Sequence, residues 1–314
     1  MDDARTDGWY HEPVLGREVV DVLELRPGGL YLDGTVGGGG HARLLLERCG
    51  DCRLLAVDRD ADALVHAREA LEPWAPRVRF LHARFDHAVD DVEVKERGLD
   101  GALLDLGVSS RQLDADDRGF TYRAGAPLDM RMDPAAEGES AAELLEHADH
   151  DELVRIFRDL AEEPRARQLA STIVRRRGVA PLATSDDLVS ALAAAVGRAP
   201  THQEKARVFQ GLRIAVNGEL ESLEAALEGV REALLPGGVI AVIAYHSLED
   251  RIAKHAFREW SRACVCPPGY PVCQCRGHAL GETLTRRPID ASVTEVERNP
   301  RARSAHLRAW RKAA

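Results

Sequence analysis

The first third of the chain alternates short apolar runs with stretches in which apolar residues recur every three or four positions. The apolar runs cover residues 30–36, 53–58, 78–85 and 101–108. The stretches between them, such as 41–49 and 60–71, have the period of amphipathic helices. This alternation predicts βαβ units, and hence a parallel sheet with helices on both faces. In such a sheet the ligand crevice lies at the carboxyl ends of the strands.

The next core strand is predicted only at residues 238–245, so a long segment interrupts the α/β pattern. Three helices are predicted within that segment, at residues 150–161, 165–177 and 186–196. Ser185 is the expected N-cap of the third helix, and Gly197 its end. A long amphipathic helix, 203–235, is expected to return the chain to the sheet. The pattern therefore predicts a helical domain inserted into an α/β domain.

We place the domain boundaries accordingly. Residues 1–110 and 211–314 form the two parts of the α/β domain, and residues 111–210 form the inserted helical domain. After the fifth strand, Ser247 is the expected N-cap of a further helix. Apolar and polar residues then alternate in 292–297 and 304–310, which predicts a terminal β-hairpin that adds antiparallel strands to the end of the sheet.

The most distinctive motif lies just after the first predicted strand, where Asp33 precedes four consecutive glycines, Gly37 to Gly40, and His41. Glycines leave the backbone open to close approach by a ligand, and some of them must have positive φ. The motif matches the first loop of class I methyltransferases, but Gly37, Gly39 and Ala42 also fit a dinucleotide fingerprint. The loop alone leaves an S-adenosylmethionine-dependent methyltransferase and an NAD-dependent dehydrogenase open.

Acids near the ends of the predicted strands separate these two interpretations. Asp58 ends the second strand, where it can accept hydrogen bonds from the ribose diol of either cofactor. Asp33 discriminates better, because a carboxylate repels a pyrophosphate and attracts the cationic amino-acid end of S-adenosylmethionine. Phe85 offers an apolar face to an adenine ring, and Asp105, in an otherwise apolar strand, needs a partner or a role. The acids favour S-adenosylmethionine.

The composition is that of a globular protein, with 45% hydrophobic and 30% charged residues. The N-terminal residues are acidic, unlike those of a signal peptide. The longest apolar run is much shorter than the roughly 20 residues that span a bilayer. These features predict a cytoplasmic protein with no membrane partner.

Charge is distributed unevenly along the chain. The formal net charge of −10 disfavours indiscriminate binding to polyanions. Residues 286–312 nevertheless hold eight Arg or Lys against three acids, and Arg301 and Arg303 are among them. A second basic cluster consists of Arg165, Arg167, Arg175, Arg176 and Arg177. Such clusters are equally typical of solvated surfaces and of nucleic-acid-binding surfaces.

Four cysteines form two closely spaced pairs, Cys264 with Cys266 and Cys273 with Cys275. Four thiolates can close a tetrahedral zinc site, although one-residue spacers are tighter than the usual two. Disulfides are the alternative, which a reducing cytoplasm disfavours. Zinc therefore remains open at these four cysteines, whereas Cys49 and Cys52 are interpreted as structural.

Eight motifs, read together and in order, resemble the ribosomal RNA small subunit methyltransferase H family, also called the MraW family. They are HEPVL (11–15), DGTVGGGGH (33–41), LLDLGVSS (103–110), RGF (118–120), PLDMRMD (127–133), FQGLRIAVNGEL (209–220), YHSLEDR (245–251) and NPRARS (299–304). The resemblance runs from about residue 10 to the C-terminus.

This resemblance implies an S-adenosylmethionine-dependent enzyme that methylates N4 of a cytidine in the decoding region of bacterial 16S rRNA. It also implies a Rossmann-like class I methyltransferase sheet that is interrupted by a helical substrate-recognition domain. The implied partner is 16S rRNA in the small ribosomal subunit, and the two basic clusters become candidates for the RNA surface. The oligomeric state is left open, with a dimer as one alternative.

The resemblance also assigns candidate residues within the motifs. The implied cofactor contacts are Gly39, Gly40, His41, Asp58, Phe85, Asp105 and Gln112, to which charge and backbone arguments add Asp33 and Gly37. The candidates for groups near the reacting amine are Asp105, Ser109, Ser110 and His246. A ribosome-assembly RNA-binding protein without catalysis is a further alternative, but it leaves Asp33, Asp58 and Asp105 without a role.

Overall fold

A computed structural model describes residues 13–108, 115–136, 138–267, 269, 272 and 274–314 of the chain. The contacts divide it into two compact units. The sheet unit consists of Met1–Gly107 and Leu220–Ala314, and the helical unit consists of Val108–Glu219. The three-part division at residues 110 and 210 stays a prediction.

Within the described residues, the sheet unit is built on one sheet of eight strands. They are β1 (Leu30–Asp33), β2 (Arg53–Asp58), β3 (Val78–His82), β4 (Leu99–Asp105), β5 (Leu234–Ala244), β6 (Gly281–Thr283), β7 (Ile289–Asp290) and β8 (His306–Lys312). They lie in the order β3-β2-β1-β4-β5-β8-β6, and β7 also pairs with β8. Strands β1 to β5 are parallel, whereas β8 is antiparallel to β5, β6 and β7. The predicted α/β sheet is confirmed.

The described helices are numbered here in chain order. They are α1 (Gly16–Leu23), α2 (Gly40–Arg48), α3 (Ala61–Ala70), α4 (Val92–Arg97), α5 (Ala141–His147), α6 (His150–Arg155), α7 (Ala166–Arg177), α8 (Ser185–Val196), α9 (His202–Asn217), α10 (Glu219–Ala233), α11 (Ser247–Trp260) and α12 (Val293–Arg298). None of these helices is both long enough and apolar enough to cross a membrane.

Two apolar cores cover the two faces of the sheet. Alternate residues of β5 point to opposite faces, so Ala241 and Ile243 join one core while Ile240 and Val242 join the other. The first core includes residues of α1, α2 and α3, and the second includes residues of α4, α10 and α11. Burial on both faces is the physical reason that these strands appear as near-continuous apolar runs in the sequence.

Three strands end before their apolar runs do; the run at 101–108 continues three residues beyond the end of β4 at Asp105. β1 ends at Asp33, after which Gly34 donates to Leu103 O and Val36 donates to Val57 O, each at 2.9 Å. β3 ends at His82, and Phe85 begins a 3₁₀ helix, Phe85–Asp90, instead of ending the strand. After β1 and β3, buried or partly buried apolar residues continue beyond the regular pairing, so hydrophobicity alone overestimates the strand.

The predicted single helix at residues 203–235 is wrong, because two helices occupy this segment. Gly218 lies between α9 and α10 with φ 58°, in the left-handed region, and ends α9. Leu212 and Leu227 are buried on either side of the break. The helical spacing of apolar residues therefore continues through a reversal of backbone conformation, which periodicity does not detect.

Two predicted N-caps are displaced by one residue. Thr184, not Ser185, caps α8 and forms a capping box with Asp187. Ser185 is buried, and its hydroxyl donates to Arg123 O at 2.5 Å. His246, not Ser247, caps α11, since its Nδ1 accepts from Glu249 N–H at 3.4 Å. In each case another acceptor next to the predicted one has the extended backbone that a cap requires.

The predicted terminal hairpin is half wrong. Residues 304–310 do contribute to an antiparallel strand, β8, but α12 replaces the other arm. Ser292 caps α12 by accepting from Glu295 N–H at 3.2 Å, and Glu295 Oε1 accepts the N–H of Leu15 at 2.7 Å. This capping and the long-range hydrogen bond favour a helical turn over the strand that the short alternation suggested.

Cys49 and Cys52 lie in the turn between α2 and β2. Both are buried and are joined by a disulfide. The Arg77 guanidinium donates to the carbonyl of Cys49 at 2.8 Å and thereby ties this turn to the residues before β3. Their placement agrees with the interpretation of the pair as structural.

The helical unit has its own apolar core. It includes buried leucines and phenylalanines of α6 to α9 and of the π-helical turn Ile156–Leu160. Asn217, at the end of α9, is buried in this unit, where its Oδ1 accepts from Met132 N–H at 2.9 Å and its Nδ2 donates to Met130 O at 2.8 Å. Met130 has φ 61°, so Asn217 holds a backbone segment of unfavourable conformation.

We expect Asn217→Leu to lower the free energy of unfolding by about 1–3 kcal/mol for each backbone group that loses its partner, because Met132 N–H and Met130 O stay buried. The measurement is urea unfolding followed by circular dichroism. Gln203→Ala, at an exposed amide of the same helix, is the matched control and should change stability by less than about 0.5 kcal/mol. Equal effects of the two substitutions would contradict the assigned role of Asn217.

Candidate active site at the carboxyl edge of the sheet

Three acids end three neighbouring strands of the sheet. Asp33 is the last residue of β1, Asp58 of β2 and Asp105 of β4. These strands are adjacent and parallel, in the order β2-β1-β4, so the three carboxyl groups lie along one edge. This is the edge at which open α/β sheets bind ligands. The sheet therefore brings together the three acids that the sequence singled out.

The glycine loop between β1 and α2 has the backbone conformation that its composition predicts. Gly37 has φ 50° and Gly39 has φ 84°, both in the left-handed region. Gly39 is the N-cap of α2 and offers no capping side chain. The first N–H groups of α2 are therefore donors for a negatively charged group, such as the carboxylate of an amino acid.

Asp33 is almost completely buried, with 1% of its surface exposed. Its Oδ1 accepts from Thr35 N–H at 3.2 Å, whereas its buried Oδ2 has no hydrogen-bond partner among the described residues. Burial raises the pKa of Asp33 to about 7, and the nearby His41 opposes this shift. An orphaned buried carboxylate oxygen calls for a cationic or hydrogen-bond-donating ligand.

Asp58 holds the glycine loop against β2. Its Oδ2 accepts from Gly37 N–H at 2.8 Å, and its Oδ1 accepts from Asp60 N–H at 2.9 Å. Burial raises the pKa of Asp58 to about 6, although both backbone donors favour the carboxylate. Each oxygen still has a second lone pair, so binding a ribose diol is compatible with this structural role.

Asp105 is the centre of a side-chain network. The Tyr245 hydroxyl donates to Asp105 Oδ1 at 2.9 Å, and His41 Nδ1 lies 3.4 Å from Asp105 Oδ2. The backbone N–H of Asp105 donates to Thr35 Oγ1 at 2.7 Å, which joins β4 to the glycine loop. Burial raises the pKa of Asp105, against the opposing effects of His41 and of the Tyr245 hydroxyl. Tyr245 and His41 thus contact the carboxyl group itself, and the glycine loop holds the backbone of the same residue.

His41 and Tyr245 are themselves held in place. His41 is buried, and its Nε2 lies 2.8 Å from the carbonyl oxygen of Val14, which makes Nε2 the donor and leaves Nδ1 to face Asp105. Burial, followed by the charge of Asp105, raises the pKa of Tyr245 well above its usual value. The tyrosine therefore stays a hydrogen-bond donor at neutral pH.

The motif after β5 supplies residues that the sequence assignment did not include. Tyr245 follows the carboxyl end of β5, and Glu249 is buried one helical turn later. Glu249 Oε2 accepts from Tyr245 N–H at 3.0 Å, and Glu249 Oε1 lies 3.1 Å from His246 Nε2. Their signal in the sequence was their position: β5 is parallel to β4, so the residues after β5 must lie near the end of β4.

Phe85 is placed beside the first residue of the glycine loop. A Cβ added to Gly34 would lie 3.2 Å from Phe85 Cβ, and Phe85 is partly buried against the core. The side chain is thus next to the loop that holds Asp33. Ser109, Ser110 and Gln112 lie outside the described residues, so their assignments stay predictions.

The predicted RNA-binding arginines differ in how the structure uses them. Arg177 donates to Leu145 O and Ala148 O, each at 2.7 Å, at the end of α5. Arg165 donates to Val196 O at 2.6 Å, and Arg176 donates to Ser190 Oγ at 2.9 Å. The exposed members of the set are Arg165, Arg167, Arg175 and Arg303, whereas Arg176, Arg177 and Arg301 are partly buried.

Three of the four clustered cysteines are described. Cys264, Cys266 and Cys275 have their sulfur atoms within 4.8 Å of one another. Cys273 lies outside the described residues. The structure thus brings together cysteines from both of the closely spaced pairs.

Comparison with known proteins identifies the family. The family model of the MraW methylase family matches residues 8–313. Among similar proteins, a ribosomal RNA small subunit methyltransferase H from Gemmatimonas aurantiaca is 49% identical over 98% of this chain and 96% of that protein. A protein of the same name from Heliobacterium modesticaldum is 47% identical over 97% of this chain and 99% of that protein.

These similarities confirm the resemblance that the sequence motifs indicated, and with it the prediction of an S-adenosylmethionine-dependent methyltransferase. The dehydrogenase alternative has no support. The orphaned oxygen of Asp33 and the uncapped start of α2 fit the amino-acid end of S-adenosylmethionine, which carries both a cation and a carboxylate. By its motifs, its site and its relatives, the chain belongs to the MraW methylase family.

Proposed function

We propose that this protein transfers the methyl group of S-adenosylmethionine to N4 of a cytidine in the decoding region of bacterial 16S rRNA. The observation that carries the proposal is the buried Asp33 oxygen without a partner, at the same sheet edge as the Asp105–Tyr245 hydrogen bond. The unpartnered Asp33 oxygen suits a cationic cofactor. The Asp105 carboxyl group, positioned by Tyr245, suits the amine that accepts the methyl group. The name of the relatives supports small-subunit ribosomal RNA as substrate, and the motif resemblance supports N4 of cytidine.

The residues of the sheet edge would hold the cofactor by complementary charge and hydrogen bonding. Asp33 would receive the ammonium group, and the first N–H groups of α2 would receive the carboxylate. Asp58 would accept from the ribose diol, and Phe85 would offer its apolar face to the adenine. When bound, S-adenosylmethionine supplies its methyl group as an electrophile on a sulfonium.

Asp105 is our candidate for the acceptor of an N4 proton. The lone pair of the cytosine amine is delocalised into the ring, so an acceptor on one N–H keeps electron density on nitrogen and takes up the proton that methylation releases. Burial raises the pKa of Asp105, which makes its carboxylate a better base. The Tyr245 hydroxyl donates to one of its oxygens, and His41 Nδ1 lies 3.4 Å from the other.

The other candidates for groups near the amine are assigned different roles. His246 caps α11 through Nδ1 and lies against Glu249 through Nε2, so we assign it a positioning role for the start of that helix. Ser109 and Ser110 follow Asp105 in the chain and stay candidates for contacts with the base. Gln112 stays a candidate cofactor contact on the strength of the motif alone.

RNA binding is assigned to the exposed arginines of each unit. Arg167 and Arg175 are eight residues apart on α7, which places them along one side of the helix, and both are exposed. Arg167 also lines an open groove of about 900 Å³ beside α6; its lining is of mixed charge, with Arg155 and Arg158 but also Asp149, Asp151 and Glu152. In the sheet unit, Arg303 is exposed, and Arg301 precedes it in the same 3₁₀ turn. Exposed guanidinium groups of this kind bind phosphates.

The direct test is mass spectrometry of decoding-region RNA after small ribosomal subunits have been incubated with the protein and S-adenosylmethionine. We expect one N4-methylated cytidine. Asp105→Asn should lower the rate of methyl transfer by about 10²- to 10⁴-fold. The amide oxygen can still accept the hydrogen bond from the Tyr245 hydroxyl, but the amide cannot take up the proton released from N4. Tyr245→Phe should have a smaller effect.

A product methylated on another atom or base would contradict the N4 assignment. Cofactor binding without any methyl transfer to the subunits would instead favour a non-catalytic role in ribosome assembly. Full activity of Asp105→Asn would exclude this residue as the proton acceptor.

Cofactor affinity should depend on the ionisation of Asp33. Because its pKa is about 7 and a cationic ligand favours the carboxylate, affinity should rise with pH and level off above about pH 7. On the acid side, the dissociation constant should change by up to about tenfold per pH unit for this group. The measurement is titration calorimetry with S-adenosylhomocysteine from about pH 5.5 to 8.

Asp33→Asn should weaken binding and remove the part of the pH dependence that lies near pH 7, since the amide cannot ionise. Asp58, with a pKa of about 6, would continue to contribute at lower pH. Asp90→Asn, at an exposed carboxyl, is the control and should bind as the unchanged protein does. An unaltered pH profile in Asp33→Asn would contradict the assigned contact.

Replacing Arg167 and Arg175 together with alanine should weaken binding to small subunits and leave cofactor affinity unchanged. Each lost phosphate contact should reduce the slope of log K against log salt concentration by about 0.7–0.9. Arg177→Ala is the matched control, because that guanidinium is occupied by α5 carbonyls and its loss should lower stability. If the double variant bound small subunits with the same affinity and the same salt slope as the unchanged protein, the assignment of this RNA-binding surface would be wrong.

A further inference from the structure

The segment that joins α11 to β6, residues 261–279, shows no apolar core of its own in the part that the structure describes. None of its described residues is buried, and Val272 is 67% exposed. The two ends of the segment nevertheless meet, since Leu280 N–H donates to Trp260 O at 2.8 Å. A long loop that is closed at its base and whose described side chains are not buried needs another source of order.

Three thiols converge inside this loop. Cys264 and Cys266 come from its first half and Cys275 from its second, and their sulfur atoms lie within 4.8 Å of one another. Tetrahedral zinc with Zn–S bonds of about 2.3 Å requires sulfur atoms about 3.8 Å apart. The observed spacing therefore needs little adjustment to hold one ion. A disulfide would use only two of the three sulfurs.

The surroundings of the thiols suit thiolates. Val265 N–H donates to Cys275 Sγ at 3.3 Å, and a backbone donor of this kind stabilises negative charge on sulfur. The guanidinium of Arg276 donates to the carbonyls of Glu259 and Arg262. Arg276 also joins the second half of the loop to the end of α11.

We propose that Cys264, Cys266 and Cys275 bind a structural zinc ion that orders the loop between α11 and β6. Thiolate ligands favour zinc over harder cations such as magnesium and calcium. These three thiolates leave one position of the tetrahedron for a further ligand. The proposal is independent of the proposed methylation, because its readout is metal content and stability.

The test uses the full chain, purified without chelators and in the presence of a reductant, and metal analysis by inductively coupled plasma mass spectrometry. We expect about one zinc per chain, as in closed structural sites. Cobalt-substituted protein should show thiolate-to-cobalt charge transfer and the strong visible bands of tetrahedral cobalt. Both measurements use the unchanged protein, so they decide the question even if a cysteine variant fails to fold.

Cys264→Ser and Cys275→Ser should reduce the bound zinc to below about one tenth per chain, since structural sites need all their thiolates. The matched control replaces Cys49 and Cys52 with alanine; these two cysteines lie elsewhere in the fold and should not affect metal content. Removal of zinc by a strong chelator should lower the melting temperature, and added zinc should restore it.

Three results would overturn the proposal. The first is a zinc content near zero in the unchanged chain. The second is stoichiometric iron in place of zinc. The third is a disulfide among these cysteines, found by peptide mass spectrometry in protein alkylated at lysis.

Discussion

Burying three carboxyl groups at one edge of a sheet is the constraint on which the rest of this site depends. Asp33, Asp58 and Asp105 each end a strand, and burial raises the pKa of all three. Buried negative charges are unfavourable unless donors or a counter-charge surround them. The loops at this edge are arranged to supply most of that compensation and to leave one oxygen, Asp33 Oδ2, for a ligand.

The hydrogen-bond donors to these carboxyl groups are backbone N–H groups, and one of them requires a backbone conformation that favours glycine. Asp58 takes the N–H of Gly37, whose φ of 50° favours glycine, and Asp33 takes the N–H of Thr35. The hydroxyl oxygen of Thr35 also accepts the backbone N–H of Asp105. A single loop therefore ties three strands together. The composition of this loop is therefore as much a requirement for holding the acids as for admitting a cofactor.

The helical unit begins shortly after one of these acids in the chain. β4 ends at Asp105, and the helical unit starts at Val108, so the chain leaves the sheet directly after the proposed proton acceptor. It returns through α10 and β5 and brings Tyr245 to the same carboxyl group. The hydrogen bond between residues so far apart in sequence depends on β4 and β5 being parallel neighbours.

The sequence by itself determined the α/β class, the positions of the core strands, the three acids and the glycine loop. Each of these depends on local composition: apolar runs bury a strand on both faces, and glycine permits positive φ. It also determined the family, because the motifs are specific when they are taken together. Strand ends, such as those of β1 and β3, were overestimated, because burial continues past the last ladder hydrogen bond.

The tertiary structure alone decided what depends on partners distant in the chain. Helical periodicity continued through Gly218, and only the fold showed the break between α9 and α10. The hydrogen bond from Leu15 to Glu295 favours a helix where alternation suggested a strand. Likewise, Arg177 and Arg175 are neighbours of the same type, yet one is held by α5 carbonyls and the other is exposed. Hydrogen bonds and burial of this kind are set by packing, which no local pattern contains.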